Sequence, residues 1–160
     1  MIVLAEAVRH LRLQAIATSL DAGTQGGQVR IYTGPRPDPG SPLNGQLLLV
    51  ELHLARPCLL SLTEGVMTLV APPDRLCLRS GRASWARMLD GSGRAVLDAD
   101  VGLEGSGAEL ELDQVDLLAG VVGAGEFVVG LVQLRAGDIG AVAVVPDAQG
   151  DELGGGRATE

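Results

Sequence analysis

The sequence predicts a mainly β protein: a single β-sandwich or jelly-roll-like domain with one N-terminal α-helix and an extended C-terminal tail. Short apolar segments recur between residues 28 and 134, and turns that contain Gly or Pro separate them, as in sandwiches and barrels. One stretch near the start has a helical period. The last 25 residues are rich in Gly and acidic residues. We therefore expect one domain over residues 1–135 and an arm over 136–160.

The N-terminal stretch predicts a helix over about residues 4–21. An apolar stripe at helical spacing runs through Leu4, Val8, Leu11 and Ala15. Three further apolar residues lie off that stripe: Leu13, Ile16 and Leu20. The resulting broad apolar face suits a helix that its own sheet covers and that a neighbour also contacts. Asp21-Ala22-Gly23 ends the helix, with Gly as the left-handed cap.

The predicted strands follow in order, each as a short apolar or alternating segment. We expect strands or extended pieces at 28–33, 46–54, 58–60, 66–70, 76–78, 83–89, 95–98, 108–112, 115–118, 126–134 and 141–145. The segment 46–54 is apolar enough for burial on both faces. The segment 141–145 could pair within this chain or with a neighbouring subunit.

The hairpin over residues 83–98 is expected at the centre of the domain. Trp85, Arg87 and Leu89 share one side of the pleat, and Asp90-Gly91-Ser92-Gly93 has the composition of a tight reversal. Residues 34–45 contain four Pro and three Gly, which exclude regular structure. That segment is either an exposed loop or an arm that lies on a partner.

Composition excludes several classes of function. The net charge is −8 and the chain has no Lys; residues 1–97 carry ten Arg and seven acids, whereas residues 98–160 carry two Arg and thirteen acids. An acidic half argues against nucleic-acid binding. It suits contacts between subunits or with a basic partner, or solubility alone. The aromatic residues are Tyr32, Trp85 and Phe127, few for a sugar or single-stranded nucleic-acid platform.

No motif predicts a catalytic residue, a cofactor or a metal site. Cys58 and Cys77 lie in separate apolar segments, and free buried thiols are favoured over a disulfide or a zinc site. His10 and His53 lack a triad-like acid, so structural roles are favoured. The carboxylates Asp98, Asp100 and Glu104 have a cation-like spacing but lack an EF-hand pattern, which favours a solvated turn.

The sequence predicts a protein that is cytosolic when made and that does not insert into a membrane. The first residues are apolar, but Glu6, Arg9 and Arg12 interrupt them and no basic region precedes them. No apolar run approaches the length of about 20 residues that a membrane span needs.

Segments along residues 4–134 resemble small β-fold virion structural proteins of tailed bacteriophages. The segments that carry the resemblance are LDAG at 20–23, VRIYTG at 29–34, LLLVEL at 47–52, WAR at 85–87, LDGSG at 89–93, VLD at 96–98, GAELEL at 107–112 and LAG at 118–120. The proline-rich segment 34–45 and the tail after residue 135 depart from that pattern. The resemblance implies a non-enzymatic capsid decoration or cement protein on the capsid exterior, whose partners are the major capsid protein and itself, as a dimer or trimer.

Six charged residues are the predicted partner contacts: Arg30, Arg36, Arg56, Glu109, Glu111 and Asp113. Arg30 lies in the predicted strand 28–33, Arg36 in the proline-rich segment and Arg56 directly after the segment 46–54, while the three acids alternate along one strand face. Two alternatives stay open: a tail or baseplate component of the virion, and a module that binds carbohydrate or a cell surface, with Trp85 as its platform. An enzyme has the least support.

Overall fold

A computed structural model describes residues 5–63, 66–70, 76–120, 132–133 and 141–145. The chain is mainly β with one N-terminal helix, which confirms the coarse prediction. The elements are α1 (Glu6–Leu20), β1 (Gln28–Tyr32), β2 (Leu48–His53), β3 (Leu59–Thr63), β4 (Val66–Val70), β5 (Gly81–Arg82), β6 (Trp85–Leu89), β7 (Ala95–Leu103), β8 (Leu110–Leu112), β9 (Asp116–Leu117), β10 (Val132–Gln133) and β11 (Ala141–Val145).

The largest sheet has the strand order β2-β1-β6-β7-β8. Its pairs are antiparallel apart from β7 and β8, which run parallel. Strand β6 lies in the middle, and all five of its residues are buried. Because successive side chains point to opposite faces, Ala86 and Met88 enter the main core while Trp85 and Arg87 face outward. The predicted central position of this hairpin is confirmed.

The turn between β6 and β7 forms where its composition predicts. Asp90 N–H donates to the Arg94 carbonyl oxygen at 2.8 Å, and Gly93 has φ +82°. The Asp90 carboxylate accepts the N–H groups of Ser92 and Arg94 at 2.8 and 2.9 Å. The N–H of Gly91 donates to the Ala22 carbonyl oxygen at 2.8 Å, so this turn also holds the chain that follows α1.

A second sheet has the order β10-β11-β4-β3, and β5 and β9 form a small third sheet. Strand β11 runs parallel to β4, with Ala141 opposite Val66 and Val145 opposite Val70. The predicted strand in the tail therefore forms, and it pairs with β4 and β10 of its own chain. Most of the strand predicted at 126–134 lies outside the described residues.

Helix α1 buries a different stripe from the predicted one. Leu13 and Leu20 are fully buried and Ala17 nearly so, whereas Val8 is 41% and Leu11 63% exposed. Leu13, Ala17 and Leu20 repeat at helical spacing just as the predicted stripe does, so periodicity alone does not distinguish the two faces. Helix α1 packs against β3, β4 and β7. It ends at Leu20, and Gly23 has φ +96°, as predicted.

One core cluster joins the helix to both larger sheets. It includes Leu13 of α1, Ile31 of β1, Met67 of β4 and Met88 of β6. Both cysteines lie buried in this cluster and form no disulfide, which confirms the prediction of buried thiols over a disulfide. Among the described residues, no helix is both long and apolar enough to cross a membrane.

Strand β7 extends further than predicted. The acidic segment 98–104 was expected to form a solvated turn, but β7 continues to Leu103 and includes Asp98 and Asp100. Each of these carboxylates meets an arginine, Arg87 and Arg36 respectively. These cross-strand and loop contacts explain why acidic residues occupy strand positions that local composition disfavours.

Candidate functional site

A row of four charged side chains crosses the outer face of the large sheet. The strand register places Glu51 opposite Arg30, Arg30 opposite Arg87, and Arg87 opposite Asp98. Two arginines are thus direct neighbours on adjacent strands, a repulsive arrangement by itself. Each arginine has its own carboxylate on the far side, so the row runs negative, positive, positive, negative and is neutral in sum.

The inner pair of that row is nearly inaccessible to solvent. Arg87 donates from Nε and Nη2 to the two oxygens of Asp98 at 2.7 and 2.9 Å, and the side chains are 9% and 1% exposed. This bidentate geometry is the strong form of the arginine–carboxylate contact. The hydrogen bond to Asp98 raises the pKa of Arg87, while burial opposes the rise. The outer pair, Arg30 Nε to Glu51 at 2.7 Å, is more open.

The proline-rich segment 34–45 lies against this outer face. The Gly40 N–H donates to Asp98 Oδ2 at 3.1 Å, and Arg87 Nη1 donates to the Ser41 carbonyl oxygen at 2.8 Å. Arg36 Nη1 is 3.3 Å from Asp100 Oδ1. Arg36, Asp38 and Ser41 each precede a proline, which disfavours helical backbone at these positions. The segment is therefore a loop fixed on its own sheet, although much of its surface stays exposed.

The two aromatic residues of the described chain lie on the outer face. Tyr32 and Trp85 stack with ring centroids 4.6 Å apart, and the Arg87 guanidinium carbon is 5.3 Å from the Trp85 ring centre. Trp85 is 0% and Tyr32 3% exposed. A sugar platform needs an accessible ring, and neither of these two rings is accessible. Trp85 Nε1 is buried without a hydrogen-bond partner among the described residues.

The histidines have acidic neighbours. His53 Nε2 lies 2.9 Å from Glu51 Oε1, and His10 Nε2 lies 3.7 Å from Glu6 Oε1. The Glu51 carboxylate therefore contacts both Arg30 of β1 and His53 of its own strand β2. Within the described ranges, no three His, Cys, Asp or Glu side chains come close enough to hold a metal ion.

Two of the predicted contact acids bind backbone groups of their own chain. Glu111 accepts the N–H groups of Gly105 and Gly107 at 3.0 and 2.7 Å, and Glu109 accepts the N–H of Asp100 at 2.9 Å. These bonds shape the short connection that returns the chain from β7 to its parallel neighbour β8. Two of the acids that were predicted to contact a partner, Glu109 and Glu111, thus bind backbone N–H groups of their own chain at this connection.

The structure does not gather the six predicted contact residues into one site. Arg30 and Arg36 belong to the outer face, and Glu109 and Glu111 to the edge of the sheet at β8. Arg56 and Asp113 are exposed, and neither joins an ion pair within the part of the chain that the structure describes. Arg56 lies two residues before Cys58, whose N–H donates to Asp21 after α1.

The sequence interpretation missed a group of exposed leucines. Leu76, Leu78 and Leu118 are 53%, 60% and 60% exposed. Cys77 and Leu117, their neighbours in the chain, are buried. The alternation at 76–78 was visible as a short edge segment, but nothing local in the sequence shows that residue 118 lies beside it.

Comparisons with known proteins identify no relative. No family model matches the chain, and neither the curated proteins nor the solved structures that were searched contain a match.

Proposed function

We propose that this protein is a non-enzymatic structural protein of a phage virion, which decorates or cements the capsid through contacts with the major capsid protein and with itself. The observation that carries the proposal is a set of large apolar side chains exposed on an ordered frame: Val8, Leu11, Leu43, Leu47, Leu60, Leu76, Leu78, Leu103 and Leu118. Single exposed leucines are ordinary, but those at 76–78 and 118 lie on two adjacent backbone segments, and grouped apolar side chains mark contact surfaces.

The use of the charged residues supports the same proposal. The arginines and acids of the outer face pair with one another and fix the loop 34–45. The exposed apolar side chains are therefore more available for binding a protein surface than the charged side chains of the outer face are. A lattice protein present in many copies needs only weak individual contacts, since multiplicity strengthens the whole.

A sandwich-like packing of the two larger sheets is part of the proposal. Ile31 and Met88 of the five-stranded sheet share a core cluster with Met67 and Leu69 of the other sheet.

The proposal is tested by co-sedimentation of the purified protein with capsids that lack it, followed by heat challenge of those capsids. Saturable binding that raises capsid survival supports the cement role. Absence from capsids together with recovery in isolated tails would move the protein to the tail or baseplate, and absence from both would overturn the virion role. Arg56→Ala, with the exposed Arg12→Ala on α1 as control, then asks whether Arg56 contacts the capsid.

A further inference from the structure

We propose that two copies of this chain associate face to face through a leucine patch formed by Leu76, Leu78 and Leu118. The inference deepens the self-association part of the proposed function and rests on it. It names the contact surface and a two-fold symmetry, whereas the sequence interpretation left open whether the protein is a dimer or a trimer.

Backbone hydrogen bonds bring the two segments of the patch together. The Gly120 N–H donates to the Cys77 carbonyl oxygen at 2.9 Å, and the Ala119 N–H donates to Ser80 Oγ at 2.9 Å. The antiparallel pair β5–β9 continues the same arrangement, with Gly81 opposite Leu117. Residues 76–82 and 113–120 therefore form two adjacent rows.

The leucines point away from the core of their own chain. Cys77 is 4% and Leu117 2% exposed, whereas the three patch leucines are each more than half exposed. The Leu78 N–H donates to the Leu49 carbonyl oxygen at 2.7 Å, which fixes this row along the edge of β2. The apolar surface is thus held in place before any partner arrives, and association need not order it.

The charges around the patch are divided by row. Arg79 and Arg82 flank the leucines on one row, and Asp113 and Asp116 precede Leu118 on the other. Arg82 Nη1 lies 3.6 Å from Asp116 Oδ2, and both side chains are largely exposed, at 69% and 77%. The row 76–82 is therefore basic and the row 113–120 is acidic. Each row also carries exposed leucines: Leu76 and Leu78 on the basic row, and Leu118 on the acidic row.

This division of charge favours a second copy of the chain as the occupant. A two-fold axis parallel to the rows places the basic row of each copy against the acidic row of the other, so that Arg82 faces the partner subunit's Asp116. An axis across the rows would oppose arginine with arginine. The same surface thus carries both the positive and the negative groups of the contact. Each arginine of one copy can meet an aspartate of the other, as an isologous dimer requires.

Sedimentation equilibrium over a range of concentrations tests the inference on the full chain. The wild-type protein is expected to reach twice the 16.4 kDa chain mass. Leu78→Glu and Leu118→Glu should each weaken the dimer at least about tenfold, since each substitution enters the interface twice. Leu60→Glu is the matched control, because Leu60 is 58% exposed and lies outside the patch; it should leave the dimer intact.

Charge reversal tests the orientation of the two copies. Arg82→Glu and Asp116→Arg should each weaken the dimer, and the double variant should restore it. A wild-type protein that stays monomeric at all concentrations, or a dimer that Leu60→Glu disrupts as strongly as Leu78→Glu, would overturn the inference. These outcomes are independent of the capsid assay: a dimer that ignores capsids refutes decoration alone, and a monomer that binds capsids refutes the leucine patch alone.

Discussion

At the scale of single residues, the buried pair of Arg87 and Asp98 has the greatest structural consequence. Arg87 occupies the central strand, where solvent reaches neither face. Its guanidinium is accommodated because Asp98 binds it through two hydrogen bonds, the Ser41 carbonyl oxygen accepts a third and the Trp85 ring lies beside it. The same pair fixes the loop 34–45, so one contact serves both the sheet and the loop.

Asp98→Asn should therefore lower the free energy of unfolding by about 3 kcal/mol, because it leaves the Arg87 charge buried without its counterion. Asp116→Asn is the matched control: Asp116 also pairs with an arginine but is 77% exposed, so its loss should cost less than about 0.5 kcal/mol. Urea denaturation followed by circular dichroism measures both, at a protein concentration at which the chain is monomeric, because Asp116 belongs to the proposed dimer interface. Equal, small losses would mean that solvent reaches the inner pair.

Asp90 predicts a dependence of stability on pH. The Arg94 backbone N–H is the main cause that lowers the pKa of the Asp90 carboxyl below its ordinary value of 3.8; desolvation opposes this, and the Ser92 N–H adds to it. A lowered folded-state pKa means that the stabilisation is complete above the ordinary value and is lost as the pH falls through the folded value. Asp90→Asn should therefore be less stable than the wild type near neutral pH.

Urea denaturation of both proteins at about pH 7 and about pH 3 measures this difference, which should shrink in acid as the wild-type carboxyl is protonated. Glu104→Gln is the control, since Glu104 is exposed after β7 and lies outside the two rows of the proposed dimer interface. A difference between Asp90→Asn and wild type that stays constant over this range would show that the carboxylate charge does not stabilise the turn.

At the scale of elements, the sequence predicted what is local and missed what is remote. The strands at 28–32, 66–70 and 85–89 and the helix end at Leu20 follow from alternation and turn residues. The extension of β7 over Asp98 and Asp100 depends on arginines that are distant in sequence. For the same reason the sequence shows that the candidate contact acids alternate, but it does not show that β8 is limited to Leu110–Leu112 or that Glu111 binds two N–H groups of its own turn.

Helix α1 shows this limit most directly, because its sequence carries two apolar stripes. Leu13→Ala should lower the free energy of unfolding by about 2–4 kcal/mol, since Leu13 is fully buried and the change leaves a cavity. Leu11→Ala is the matched control and should have almost no effect, because Leu11 is 63% exposed. Urea denaturation at low protein concentration checks both; a comparable loss for Leu11→Ala would show that its face is buried.

At the scale of the whole molecule, the core brings together elements that are far apart in the sequence. A single cluster contains side chains of α1, of both larger sheets and both cysteines. The outer face is a second layer over the same central strand, where Tyr32 and Trp85 stack beside the ion pairs. Since β6 contributes to both layers, the two should not open independently of each other.

We therefore expect one cooperative unfolding transition from three probes. Trp85 is the only tryptophan of the chain, so its fluorescence reports on the outer face, while far-ultraviolet circular dichroism reports on all elements. Thiol labelling reports on the core, because burial first and the Asp21 charge second raise the pKa of Cys58 to about 12, and a protonated, buried thiol does not react. The three transitions in urea should coincide.

The single-cysteine variants Cys58→Ala and Cys77→Ala show which thiol is labelled. They also serve as controls, because each leaves one core thiol to report on its own surroundings. If the fluorescence of Trp85 changes at a lower urea concentration than circular dichroism does, the loop 34–45 opens while the core is intact, and the two layers are separate cooperative units. If Cys58 reacts before the other probes change, α1 has left the sheets first. Only coincidence is consistent with a core and an outer face that depend on the same central strand.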